Sequence, residues 1–241
     1  MKDDVAHQLL DLNQAFYNQF SAPFNRSRFD PMHGFTAALP YLPSGKLTVL
    51  DVGCGNGRFS LFMSQNKRLA SYTGIDNSEG LLAQAAENFS DLPEPVTFRP
   101  VDIRQHAFLD NYPKYDLITH HAVMHHVPQK KMRLTVLQEM AAHLKPDGML
   151  MLSTWQFMDS ERQRRKVVDW SHIGLSADDV EASDYLLTWK RSGIGYRYCC
   201  MVDAVQTAEL ATLAGLSIVH QYREDGRERN LSLYTLLKLS I

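Results

Sequence analysis

The chain predicts an α/β fold, a doubly wound and mostly parallel sheet of seven strands ending in an antiparallel hairpin. Three observations carry this. Between residues 47 and 155 short apolar runs alternate with helical stretches, the first run flows directly into a glycine-rich turn, and the last two apolar runs follow one another with no helix between them. A strand returning to the same sheet through a helix crosses over right-handed and lies parallel, whereas consecutive strands joined by a turn pair antiparallel.

The elements follow in order. Residues 1–45 read as an N-terminal helical cap. LTVLDV (47–52) is a buried strand, and RFSLFMSQNK after the glycines is a helix with Phe59, Phe62 and Met63 on one face. SYTGID (71–76) is the second strand, followed by a helix from Glu79 to Asn88 that Asn77 or Ser78 caps. VTFRPVD (96–102), YDLITHH (115–121) and GMLMLSTW (148–155) are further strands, with KMRLTVLQEMAAHL the helix before the last. LSIVHQYRED, a turn at Gly226 and RNLSLYTLLKLS form the closing hairpin. Between these parts, residues 156–204 are a long insertion with a basic run, Glu161 to Lys166, and an aromatic stretch, DYLLTWKRSGIGYRYCC. Insertions of this length beside a sheet's C-terminal edge form lids or substrate walls, so 156–204 is expected to be part of an acceptor pocket.

Composition narrows the class. The 241 residues, 44% apolar and 22% charged, are expected to form one domain over 1–241, and they exclude a disordered or collagen-like chain. No run approaches the roughly 18 apolar residues of a membrane span, and the N-terminal segment MKDDVAHQLLDLNQ is acidic where a secretory signal is basic, so a cytoplasmic location is expected. Three cysteines, Cys54, Cys199 and Cys200, are too few for a disulfide framework. With 25 basic and 27 acidic residues the net charge is −2, which offers no broad cationic face and argues against DNA as a partner.

The chemistry is concentrated after the first strand, in Asp51-Val-Gly53-Cys-Gly55-Asn-Gly57, with Asp76 ending the second strand 19 residues after Gly57. Glycines let the backbone approach a ligand, and an acid at the second strand's end accepts hydrogen bonds from both ribose hydroxyls, with Asn77 beside it. Dinucleotide folds prefer Gly-x-Gly-x-x-Gly, whose third glycine admits a pyrophosphate. Here the spacing is Gly-x-Gly-x-Gly, and Asp51 repels a diphosphate while suiting a cationic amine and sulfonium. S-adenosylmethionine is therefore favoured over NAD. Asp102 is positioned to accept from the adenine amino group while Ile103 packs on the ring, and His120 ends the fourth strand, where the switch between sheet halves holds a ligand.

This block, with the final hairpin, resembles the class I S-adenosylmethionine-dependent methyltransferases, a Rossmann-like fold, over about residues 45 to 240. The flanks LNQAFYNQFSAPFNRSRFDPMHGFTAALPYLPSG, Ala122-Val-Met-His-His126, Thr154-Trp-Gln-Phe157 and Asp184-Tyr-Leu-Leu-Thr-Trp189 resemble the tRNA methyltransferases that esterify 5-carboxymethyluridine at the wobble position. Thr188 stands where that family has proline, and Tyr196-Arg-Tyr-Cys-Cys200 reproduces its aromatic-histidine segment in part. The resemblance implies a carboxylate acceptor positioned by Arg28 or Arg197, substrate contacts from His125, Trp155, Trp189 and Tyr198, and a small zinc-binding activator protein as partner. A small-molecule O-, N- or C-methyltransferase and a silent donor-binding subunit are the competing classes. No metal centre is expected from the clustered histidines, because neighbours on a strand point to opposite faces and no Cys-x-x-Cys spacing supports one.

Overall fold

The computed structural model describes residues 1–21, 31–190 and 193–240. Helix α1 (Asp3–Gln19) buries Val5, Leu9 and Phe16 along one face, as a period near 3.6 demands. A short helix, α2 (His33–Ala38), leads to β1 (Leu47–Val52), and α3 (Arg58–Gln65) carries the chain to β2 (Leu69–Asp76). Then come α4 (Glu79–Phe89), β3 (Val96–Pro100), β4 (Tyr115–His121), α5 (Lys130–Ala142) and β5 (Leu144–Trp155). The insertion contributes α6 (Glu161–Arg164), β6 (Val167–Val168), β7 (Asp184–Trp189) and β8 (Gly195–Cys200). Helix α7 (Ala204–Leu213), β9 (Leu216–Glu224) and β10 (Ser232–Leu239) complete it.

The main sheet has seven strands in the order β3-β2-β1-β4-β5-β10-β9. The first five are parallel, and β10 runs antiparallel to both β5 and β9. Strand order reverses between β1 and β4, which opens a crevice at their C-terminal ends. Side-chain alternation builds two cores. Leu50, Val52, Ile118, Leu150 and Leu152 face one layer with Leu9, Met140 and Leu210, while Val49, Leu117, Met149 and Met151 face another with Phe35, Phe59 and Phe62.

Strand boundaries differ in places from the sequence reading. Strand β5 begins at Leu144, because Tyr115 pairs with Leu144 before a register shift carries Leu117 onto Met149. Strand β3 stops at Pro100, and Asp102 lies beyond it, its carboxylate accepting the Arg104 backbone N–H at 2.9 Å and turning the chain away. Ser78 is the N-cap of α4 without a capping bond from its side chain; instead the Asp76 carboxylate accepts the Ser78 N–H at 2.9 Å. The insertion has secondary structure of its own. Its strands form a second antiparallel sheet, β6-β7-β8, in which Leu186, Leu187, Tyr198, Cys199 and Cys200 are buried. Asn13 fastens this sheet to α1, donating to the Tyr198 carbonyl at 3.1 Å and accepting the Tyr198 N–H at 2.8 Å.

Candidate active site

The crevice at the switch point is a cleft lined by the loop after β1, the ends of β2 and β4, residues 101–104 and the inner face of α1. Its floor is set by glycines. A Cβ on Gly53 would stand 2.4 Å from the Val123 side chain, so only hydrogen fits, and its φ of +77° suits glycine besides. Gly55 instead faces open space. Gly57 lies off the cleft, where its bare Cα admits the Phe98 ring and Ala85 and lets α3 approach β3 and α4.

Two carboxylates define the chemistry. Asp76 accepts the Gly55 N–H at 2.9 Å in addition to that of Ser78, which leaves lone pairs of its roughly four for a ligand. Burial raises its pKa above the ordinary range, while those backbone N–H groups pull it down. Asp51 is buried and accepts hydroxyls from Tyr72 at 2.6 Å and Thr119 at 2.7 Å. Burial pushes its carboxyl up to about 6 against those two bonds.

The other donor-side candidates divide. Asn77, Asp102 and Ile103 line the cleft with Asp51, Gly53, Gly55 and Asp76. Asp102 is engaged already, its second oxygen held by Arg104 Nε at 2.6 Å, and the same guanidinium reaches Asp11 at 2.6 Å and Gln14 at 3.1 Å on α1. His120 does not line the cleft. It points to the opposite face of β4, where its Nδ1 bonds the Val52 carbonyl at 2.8 Å, and burial drops its pKa to about 4. His121, one residue on, faces the cleft between Phe35 and Phe59, its ring nitrogens unpartnered among the described residues.

On the acceptor side, Arg28 lies outside the described residues. Arg197 is buried away from the cleft, its guanidinium carbon 4.8 Å from the Trp155 ring centre, 5.5 Å from Phe16 and 5.9 Å from Trp189. Trp155 and Trp189 thus pack on an arginine. Tyr198 is fully buried with its hydroxyl on Asp184 at 2.8 Å, and His125 accepts the Trp155 N–H at 3.3 Å. No described residue of 156–204 lines the cleft; the insertion supports its wall from behind.

The cleft also holds residues to which the sequence reading gave no binding role. Asn13, Gln14, Tyr17, Arg58, Arg104 and His126 all line the cleft. His126 Nδ1 lies 2.9 Å from the Tyr198 carbonyl, which can only accept, so that nitrogen carries the proton and the neutral ring's Nε2 accepts the Tyr17 hydroxyl at 2.8 Å. The fold also gathers His125, His126 and Cys199, with ligand atoms within 4.8 Å of one another, which strand alternation did not foresee because His125 and His126 sit in a 3-10 turn, Met124–His126. Both His126 nitrogens are spent on Tyr17 and Tyr198, and burial holds the Cys199 thiol at a pKa of about 12.

Residues 49–148 match the family model of a methyltransferase domain. The fold is shared with a solved S-adenosylmethionine-dependent methyltransferase from Clostridium acetobutylicum, at a TM-score of 0.66 and 15% identity over 93% of this chain and 99% of that one. The chain is 29% identical over 150 residues to the mouse tRNA (carboxymethyluridine(34)-5-O)-methyltransferase ALKBH8, an alignment covering 62% of this chain and 20% of that protein. It is 36% identical over 109 residues to the ubiquinone biosynthesis O-methyltransferase of Haemophilus ducreyi, covering 44% of each. The chain thus spans less than half the length of the first curated relatives it matches. The Burkholderia thailandensis 1,6-didemethyltoxoflavin-N1-methyltransferase, solved with its substrate and S-adenosylhomocysteine, shares the fold at a TM-score of 0.68 and 17% identity, over 98% of this chain and 91% of that one. The cleft has the features S-adenosylmethionine would require: Gly55 leaves room, Asp76 keeps accepting capacity for ribose hydroxyls, and buried Asp51 suits a cation.

Proposed function

We propose that the chain methylates an oxygen of an acceptor held between α1 and the Met124–His126 turn, and that this oxygen belongs to the carboxylate of 5-carboxymethyluridine at the tRNA wobble position. One observation carries the reading: within Ala122–His126, which bears the resemblance to the wobble-uridine enzymes, Ala122, Val123 and His126 line the cleft directly beside the glycine loop. The activity for which the mouse relative is named points the same way. When bound, S-adenosylmethionine supplies a methyl group on a sulfonium. The chain's own work is to hold the ribose at Asp76, to present Asp51 to positive charge, and to shelter the reacting end behind Tyr17, Phe35 and His121. A carboxylate is already a nucleophile, so alignment and exclusion of water suffice and no base is needed. With a net charge of −2, the chain relies on a partner for RNA affinity, and the resemblance supplies a small activator protein for that role.

The Tyr17–His126 hydrogen bond favours a second reading, a small-molecule acceptor whose hydroxyl must lose a proton. The Tyr198 carbonyl orients His126, and an acceptor hydroxyl that displaces Tyr17 from Nε2 would meet a base there. Mass spectrometry of tRNA nucleosides from cells lacking the chain separates the two. Loss of the wobble methyl ester with accumulation of 5-carboxymethyluridine is the expected result; unchanged tRNA nucleosides beside loss of a methylated small metabolite would establish the second reading instead.

A further inference from the structure

Arg58 is the first residue of α3, directly after the glycine loop, and its side chain lines the cleft with Asp51, Phe35 and His121. Its guanidinium stands 5.9 Å over the Phe35 ring, and the one hydrogen-bond acceptor it reaches among the described residues is the Met32 sulfur, at 2.9 Å. Sulfur is a weak acceptor and carries no charge. No carboxylate among the described residues comes within ion-pair distance of Arg58. The cleft's other arginine, Arg104, pairs with both Asp102 and Asp11, and buried Arg133 pairs with Glu181 and donates to the Val127 carbonyl. The acids nearest in charge to Arg58 are spent elsewhere. Asp225 accepts the Gly34 N–H and the Tyr234 hydroxyl, and Asp51 accepts Tyr72 and Thr119.

An arginine cannot shed its charge by losing a proton, so a sheltered guanidinium without an anion is a binding site waiting for one. Asp51 is its mirror image in the same cleft, a buried acid with no cation in ion-pair reach among the described residues. We infer that Arg58 binds a carboxylate of the cleft's ligand, either that of the amino-acid end of the donor or that of the acceptor. The inference rests on the donor and acceptor reading above, and it moves the anion-binding role from Arg197, which is enclosed by rings, to a residue on the cleft itself.

Calorimetry on the purified chain tests it with wild type, Arg58→Met and Arg58→Lys, each checked for an unchanged melting temperature. The probes are S-adenosylhomocysteine and 5′-methylthioadenosine, which lacks the amino-acid end. If the donor supplies the carboxylate, Arg58→Met weakens S-adenosylhomocysteine by about 10- to 100-fold, leaves 5′-methylthioadenosine unchanged, and Arg58→Lys recovers part of the loss. If the acceptor supplies it, both adenosine probes bind as in wild type, and the S-adenosylhomocysteine-loaded wild type prefers 5-carboxymethyluridine over its amide while Arg58→Met does not. Equal binding of S-adenosylhomocysteine by wild type and Arg58→Met, with no acid-over-amide preference lost, overturns the inference. Wild type that binds no S-adenosylhomocysteine overturns the donor reading itself.

Discussion

Asp51 and Asp76 sit one strand apart at the mouth of the same cleft, and burial treats them alike while their partners do not. Asp51 has only two hydroxyls to hold its charge, and its pKa rises from 3.8 to about 6. An acid whose folded pKa is raised binds its proton more tightly when folded, so its contribution to stability is present below about 3.8 and lost as pH rises through about 6. At about 1.4 kcal/mol per pH unit the loss is about 3 kcal/mol by pH 7. Denaturant titrations of the donor-free chain from pH 4 to 7 are expected to show this decline relative to Asp51→Asn, and donor affinity is expected to rise over the same range in wild type but not in the variant. A second residue-scale expectation concerns Gly53, where Gly53→Ala combines a 2.4 Å clash with Val123 and a positive φ. It should cost about 1–3 kcal/mol and abolish donor binding, read by thermal melts and calorimetry. At this scale the sequence was legible where an acid or glycine occupies a fixed place after a strand, as with Gly53 and Asp76. It was not legible for Arg58, which looks like an ordinary first-turn residue until the fold withholds its counter-ion. Of two adjacent histidines, alternation alone says that one faces the cleft, not which.

Among elements, the central strands β1 and β4 were readable because burial on both faces leaves short runs rich in apolar and β-branched residues, and both have the predicted bounds. The insertion was not, since its strands owe their order to partners far away in sequence. Asn13 is the clearest case, reaching 185 residues along the chain to hold β8. Asn13→Ala removes both of these bonds in a buried place, leaving the Tyr198 carbonyl its bond from His126, and should destabilise the chain by about 1–3 kcal/mol in denaturant melts. Arg104 joins residues 101–104 to α1 across the rim of the cleft through partly exposed ion pairs. Such pairs contribute about 0.5–1 kcal/mol, so Arg104→Ala should speed hydrogen exchange in α1 by about 2- to 5-fold and leave the central strands unchanged.

At the scale of the whole molecule, the reversal of strand order between β1 and β4 gathers residues from five separate stretches of chain into one cleft, with α1 as its cover. The reversal was legible in the sequence as a class of fold. The cover was legible only as a helix, because nothing local announces that Asn13, Gln14 and Tyr17 turn toward a glycine loop some 40 residues on. If this cleft holds S-adenosylmethionine with its ribose on Asp76, calorimetric titration of S-adenosylmethionine into wild type and Asp76→Ala will show it without any acceptor. A single site is expected in wild type, weakened by about 1–3 kcal/mol in the variant, where a buried ribose loses its charged acceptor. Equal affinity in both proteins, or binding of NAD with none of S-adenosylmethionine, would contradict it.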